Sequence, residues 1–291
     1  MILITGATGT VGRPLVAALH ARGVAVRALT RDPSRAAFPA GVEVVAGDPS
    51  RPETIAAHLD GVRAVFLNST AIRDACEAFA GLAKRHGATR LVALAAYNVE
   101  QDLALQPSRY IGDRNRECEA AVETSGLEWV SLRPQMYASM AVPLWAGQLQ
   151  LGDTVHWPYA DFAEAVVDPR DVAEVAAHAL VEDDLLGRKP VLTGAEALTH
   201  AEMVSVIGEV TGRRLEYRES TVVELVGRLA AMGLPPELAA SFVARYAAFE
   251  GQTPESTDEV SRILGRPARS YRDWIADHAA AFSKPDVGGV V

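Results

Sequence analysis

The sequence predicts an α/β fold: a mostly parallel sheet with helices on both faces, followed by a smaller, mainly helical C-terminal region. Three observations carry this. Short apolar runs alternate with helical segments through the first half of the 291-residue chain. The runs are nearly continuous, as strands buried on both faces must be. A glycine-rich turn joins the first run to the first helix.

The elements follow in order. Met1–Gly6 reads as a strand, and Pro14–Gly23 as a helix with proline near its start and glycine at its end. Val24–Arg31 and Val42–Asp48 read as strands, Pro52–Leu59 as a helix, and Arg63–Ser69 as a fourth strand. A helix over Arg73–His86, a strand over Arg90–Ala96, a helix over Arg109–Ser125 and a strand over Leu127–Arg133 complete the alternation. Pro134–Tyr159 has no clean period. Beyond it come a strand at Ala165–Val167, a helix over Val172–Leu180 capped by Asp171, and a strand at Pro190–Thr193. Leu198–Thr211 is helical, with Thr199 and Glu202 in capping-box spacing. Leu215–Arg218 is a short strand, and Leu225–Met232, Pro236–Phe249 and Tyr271–Phe282 are helices. Asp286–Val291 is expected to fray. The expected division is a nucleotide-binding platform at 1–150, completed by segments in about 164–195, and a substrate or lid region at 196–285.

Composition narrows the function. With 37 acidic and 28 basic side chains, the net charge of −9 argues against direct nucleic-acid binding. No apolar run reaches the roughly 20 residues of a membrane span, and MILITGATG lacks the layout of a signal peptide, so a cytoplasmic protein is expected; monomer and homodimer both remain open. Cys76 and Cys118 cannot build a disulfide scaffold, and no histidine has a recognised zinc spacing, so no metal is expected.

The strongest functional signal is Gly6-Ala7-Thr8-Gly9-Thr10-Val11-Gly12 between a strand and a helix. Gly6 permits the turn, Gly9 lets backbone approach a pyrophosphate at the helix N-terminus, and Gly12 permits close packing. The pattern reads as a dinucleotide site of Rossmann type, the other reading being a Rossmann domain that has lost its ligand. The second strand ends with Arg27, Thr30 and Arg31 rather than an acidic residue. A guanidinium there suits the 2′-phosphate of NADP(H), although both arginines could instead face solvent at the sheet edge. Asp48 ends the third strand near an expected adenine, and turn capping is its other available role. Asn68, Ser69 and Thr70 end the fourth strand, where polar groups can meet a nicotinamide ribose.

The T-G-A-T-G-x-x-G opening, R-A-L-T-R-D-P, S-G-L-E-W-V-S-L-R-P and V-V-D-P-R-D-V-A-E-V-A-A-H-A-L together resemble the NmrA-like atypical short-chain dehydrogenases over nearly the whole chain. That group includes NADPH-dependent quinone, azo-dye and triphenylmethane-dye reductases, and redox-sensing regulators. The resemblance implies that Gly6–Gly12 hold the pyrophosphate, Arg31 the 2′-phosphate, and Asn68–Thr70 the nicotinamide, with residues from Gln135 onward lining the substrate cleft.

The usual Tyr-x-x-x-Lys pair is missing. The chain has only Lys84, Lys189 and Lys284, none near the required helix. Tyr110 and Arg114 imitate the spacing, but counting back from S-G-L-E-W places Asn115 at the lysine position and Ile111 at the tyrosine position. Asn115 can hydrogen-bond a nicotinamide ribose or carboxamide; it cannot act as a base. Tyr110 is either a proton donor or a packed tyrosine at the helix start. Ala95 and Ala96 replace the usual serine, leaving Tyr97 and Asn98 as polar groups. Met136, Tyr137, Met140, Trp145, Trp157 and Tyr159 either line a site for a flat, aromatic or conjugated substrate or form core. His156 among them is a further candidate proton donor. The reading is an NADPH-dependent oxidoreductase that reduces a quinone-like, enone or polyketide-type molecule by direct hydride transfer. The alternative is a redox sensor without catalysis.

Overall fold

The computed structural model describes residues 1–284; the expected frayed end at Asp286–Val291 lies outside the described residues. Six strands form the central alternation: β1 (Ile2–Ile4), β2 (Val26–Thr30), β3 (Glu43–Ala46), β4 (Ala64–Asn68), β5 (Arg90–Leu94) and β6 (Glu128–Pro134). With β7 (Thr154–Trp157), β8 (Ala163–Glu164) and β9 (Val191–Leu192) following, the main sheet has the order β3-β2-β1-β4-β5-β6-β9, and its pairings are parallel. The order reverses between β1 and β4, which opens a crevice beyond their carboxyl ends. Thr5 closes this junction: its hydroxyl donates to the Phe66 carbonyl and accepts from the Asn68 N–H.

Helices cover both faces. α1 (Gly12–Ala21), α2 (Ser69–Ile72), α3 (Cys76–Arg85), α4 (Asn115–Thr124), α5 (Gly147–Leu151) and α6 (Pro169–Val181) belong to the first two-thirds of the chain. α1 and α6 bury Leu15, Leu19, Val172 and Ala176 on one face, while α3 and α4 bury Phe79, Cys118 and Val122 on the other. The C-terminal subdomain contains α7 (His200–Thr211), α8 (Val222–Ala231), α9 (Pro236–Phe249), α10 (Glu259–Leu264) and α11 (Tyr271–Asp277). Two strand pairs accompany it: β8 with β10 (Leu198–Thr199), antiparallel, and β7 with β11 (Glu216–Glu219), parallel. Thr199 and Glu202 form the expected capping box.

Several elements differ from expectation. The Arg73–His86 helix is interrupted: Arg73 takes φ 57°, and only Cys76–Arg85 continues as α3. The Arg109–Ser125 helix is also broken, because Gly112 at φ 110° separates a 3₁₀ turn at Pro107–Ile111 from α4. Pro52–Leu59 is 3₁₀ rather than α-helical. The short strand lies at Ala163–Glu164, while Val167 makes an isolated bridge to Tyr137. Asp171 does not cap α6. Asp168 does, accepting from the Arg170 N–H with Pro169 in the first turn, and Asp171 instead accepts from Arg266 and the Arg269 N–H. α10 was not expected; its Val260 and Ile263 return to the sheet core. Among the described residues, no helix is long and apolar enough to cross a membrane.

Candidate active site

The glycine loop has the geometry its sequence requires. Gly6 takes φ 62°, and a Cβ on Gly12 would lie 2.1 Å from the Gly6 carbonyl oxygen, so only glycine allows α1 to start this close to β1. Gly9 donates to the Gly6 carbonyl at 2.9 Å. Among the described residues, the backbone N–H groups of Thr8, Thr10 and Val11 have no acceptor. Such donors at a helix N-terminus form an anion site.

A cleft of ≈ 370 Å³ runs from Gly6 and Thr8 along Leu29, Thr30, Arg31 and Asp32 to Arg13, Pro49 and Ala71. Arg31 lines it as expected. Arg27 does not: it bonds the His58 carbonyl at 2.5 Å and Glu43 at 3.0 Å, facing the neighbouring strand and loop. Arg13 supplies the second guanidinium instead, lying 5.7 Å from the Phe38 ring centroid. Sequence reasoning passed over it, although an arginine directly after the third glycine was a visible signal. Asp48 binds the Ser50 N–H and hydroxyl and Arg51, with these bonds holding its carboxyl below the usual range. That is the turn-capping role; the neighbouring Pro49 borders the cleft.

Beyond the loop, Asn68 caps α2 and packs 3.0 Å from the position a Gly6 Cβ would take. The buried Ser69 hydroxyl donates to Asn115 Oδ1 at 2.5 Å. Thr70 donates to Asp113, a residue the sequence reading missed although it closes the Gly112 break just before α4. Burial raises the Asp113 carboxyl above its ordinary range, with its bonds to Thr70 and Ser108 opposing. Burial, with Asp113 nearby, also pushes the Tyr137 phenol up. Ser69, Thr70, Asp113, Asn115 and Tyr137 therefore form one polar wall at the crevice.

Other candidates stand elsewhere. Tyr110 packs on the C-terminal apolar cluster. His156 is exposed on β7, its backbone tied to Gln148 and Arg228, with Glu216 and Glu224 as charged neighbours rather than the glycine loop. Trp145 and Trp157, proposed against substrate, are buried to 1% and 2% exposure in that same cluster and serve as core. Met136 is half-buried at its edge. Tyr97 stands past the end of β5, its backbone N–H on the Pro134 carbonyl and its hydroxyl accepting from Arg245 Nε at 2.9 Å. Among the described residues, no group of three His, Cys, Asp or Glu side chains could hold a metal ion.

Free N–H groups at a helix N-terminus, with two guanidinium groups along the same cleft, match a pyrophosphate and a phosphorylated ribose. Placed on this parallel sheet, they define an NAD(P)H-binding Rossmann protein. The chain belongs to the NAD(P)H-binding family, which matches residues 6–183, and is related to the NmrA-like reductases. It is 37% identical, over 97% of its length and 99% of the relative's, to (4-alkanoyl-5-oxo-2,5-dihydrofuran-3-yl)methyl phosphate reductase of Streptomyces griseus subsp. griseus. It is 29% identical to the NAD(P)H azoreductase of Xenophilus azovorans over 97% and 99% of the two chains. The NADP(H) complex of Citrobacter sp. triphenylmethane reductase shares the fold with TM-score 0.80 at 21% identity, covering 96% of this chain and 100% of that one.

Proposed function

We propose that the protein is an NADPH-dependent reductase of a carbonyl-conjugated double bond in a small molecule. The observation that carries this is the Ser69–Asn115 hydrogen bond: at the position the sequence count gives to the family's lysine, neither side chain ionises at neutral pH. Without a tyrosine–lysine pair to deliver a proton in step with hydride, the reaction best suited here leaves its negative charge on the substrate. A conjugated carbonyl does so, because the electron pair displaced from the double bond rests on oxygen as an enolate. The full-length relative's name describes such an acceptor: a ring double bond conjugated to a ring carbonyl and an alkanoyl group.

The dinucleotide supplies a hydride when bound. Thr8, Thr10 and Val11 offer N–H groups to its pyrophosphate, and Arg13 and Arg31 favour a 2′-phosphate. Ser69, Thr70 and Asn115 orient the nicotinamide end, and Tyr97, Met136 and Tyr137 face the substrate from the carboxyl ends of β5 and β6. Water delivers the proton to the carbon beside the carbonyl. The test is NADPH consumption across acylated butenolides, enones and quinones; binding without consumption overturns the reading.

The same Ser69–Asn115 pair favours a second reading, a sensor that binds NADPH and NADP⁺ unequally without turnover. Complete absence of turnover together with unequal nucleotide affinities would select it.

A further inference from the structure

We infer that the Tyr97 hydroxyl, anchored by Arg245, is the oxyanion donor for the carbonyl oxygen of the substrate. This rests on the reductase reading above and adds a recognition element held in place by the C-terminal subdomain.

The placement comes first. Leu94 at the end of β5 stands in register with Asn68 at the end of β4, beside the glycine loop. The chain then continues along β6: Ala95 N–H bonds the Leu132 carbonyl and Tyr97 N–H the Pro134 carbonyl. Tyr97 is thus fixed on the crevice side of the sheet, where open α/β sheets hold ligands. Arg245 reaches it from α9. Its side chain is buried, lies 5.0 Å from the Phe162 ring centroid and bonds Glu164 Oε1 at 2.6 Å.

The donors do not balance the acceptors. The Tyr97 oxygen accepts from Nε and Nη2 of Arg245, and among the described residues its own O–H has no acceptor. Arg245 Nη1 is buried and likewise has no partner among the described residues. Burying a guanidinium carries a desolvation cost that pairing with one carboxylate offsets only in part, and an unpaired N–H adds to it. Nη1 lies on the edge of the guanidinium away from the phenol, in the buried interior, so the Tyr97 O–H is the donor that an acceptor oxygen can satisfy.

Charge decides which oxygen fits. Arg245 is paired with Glu164, so no free cation selects a carboxylate or phosphate there. The Tyr97 O–H, polarised by the Arg245 N–H groups on its oxygen, suits the delocalised charge of an enolate oxygen, which is how a fixed donor stabilises a transition state more than a ground state. Burial raises the Tyr97 phenol above its usual range against the pull of Arg245, so the hydroxyl keeps its proton. In the balanced step, hydride adds to the carbon β to the carbonyl, the π pair moves onto oxygen, and water protonates the α-carbon. Tyr97 holds the oxygen throughout, Arg245 holds Tyr97, and neither loses a proton.

The experiment measures binding to the NADP⁺-loaded protein by calorimetry. The probe is 4-hydroxycoumarin, an enolate at neutral pH, and coumarin is its neutral counterpart. Wild type is expected to prefer the enolate. Tyr97→Phe and Arg245→Lys are each expected to weaken enolate binding by about 10- to 100-fold, with a smaller loss for neutral coumarin and no change in NADP⁺ affinity. The lysine variant keeps a cation beside Glu164 and withdraws the planar fork. Equal binding of the enolate by wild type and both variants, or no enolate preference in wild type, overturns the inference. Turnover separates the two claims. If Tyr97-dependent enolate binding occurs without reduction of any activated alkene, the reductase reading fails and the site stands. If wild type and Tyr97→Phe reduce alkenes equally well and bind the enolate equally, the site fails and the reading stands.

Discussion

The Ser69 hydroxyl donates to Asn115 Oδ1 at 2.5 Å, joining the end of β4 to the first residue of α4 inside the crevice. Both side chains are buried, so neither can exchange this partner freely for water. Asn115→Ala is expected to cost about 1–3 kcal/mol of stability, because the serine hydroxyl is left without its acceptor. Ser69→Ala and Asn115→Ala combined should cost less than the sum of the two. Denaturant unfolding of the four proteins checks this, and strict additivity would show that the bond does not couple the two elements.

Arg31 and Arg13 border the cleft together, whereas Arg27 is tied to Glu43 and the His58 carbonyl. Arg31→Ala and Arg13→Ala should each weaken NADPH binding by roughly 10- to 100-fold and leave NADH nearly unchanged, the scale of a charge-assisted bond. Arg27→Ala should not alter this preference. Fluorescence titration with both nucleotides measures it; equal losses for NADPH and NADH would remove the arginines from 2′-phosphate recognition.

Gly12 and Gly9 should separate folding from binding. A Cβ on Gly12 meets the Gly6 carbonyl oxygen at 2.1 Å and the Ala7 Cα at 2.8 Å, both backbone, so Gly12→Ala forces α1 away from β1. At Gly9 the nearest contact would be the Gly6 oxygen at 3.2 Å. Gly12→Ala should therefore lose stability by at least about 1–3 kcal/mol. Gly9→Ala should fold and bind nucleotide weakly. Thermal unfolding with and without NADPH distinguishes them, and similar stability losses in both would contradict the assignment.

Glu119 gives a pH dependence. Burial raises its carboxyl, but bonds from Arg133 and Ser131 outweigh this and hold it below the usual range. Because the folded pKa lies below the unfolded one, the contribution is present above the unfolded value near 4.3 and lost as pH falls through the folded one. Glu119→Gln should flatten the stability profile below about pH 4 while lowering stability at pH 7. Denaturant midpoints over pH 3–7 check it; parallel profiles for wild type and variant would show that Glu119 does not drive the acid loss.

What the sequence disclosed and what it concealed follow from the range of the interactions. The glycine loop and the Thr199–Glu202 capping box were legible because each is made by neighbours in the chain. Arg27 and Arg31 looked equivalent, since strand composition does not say at which end of the strand the cleft opens. Trp145 and Trp157 could not be assigned from the pattern because a π-helical turn at Val142–Ala146 and a short strand replace any regular period. The break at Gly112 was hidden inside a helical composition, and with it the place of Asp113. Arg245 meets Tyr97 across 148 positions, a contact no local pattern records.

The most direct test of the reductase reading follows the label from NADPH deuterated at nicotinamide C4 into an acylated butenolide, with the saturated product analysed by mass spectrometry. NADPH consumption is expected to be matched one to one by saturated lactone, with deuterium at the carbon β to the carbonyl and solvent hydrogen at the α-carbon. Tight NADPH binding with no labelled product from butenolides, enones or quinones would contradict it.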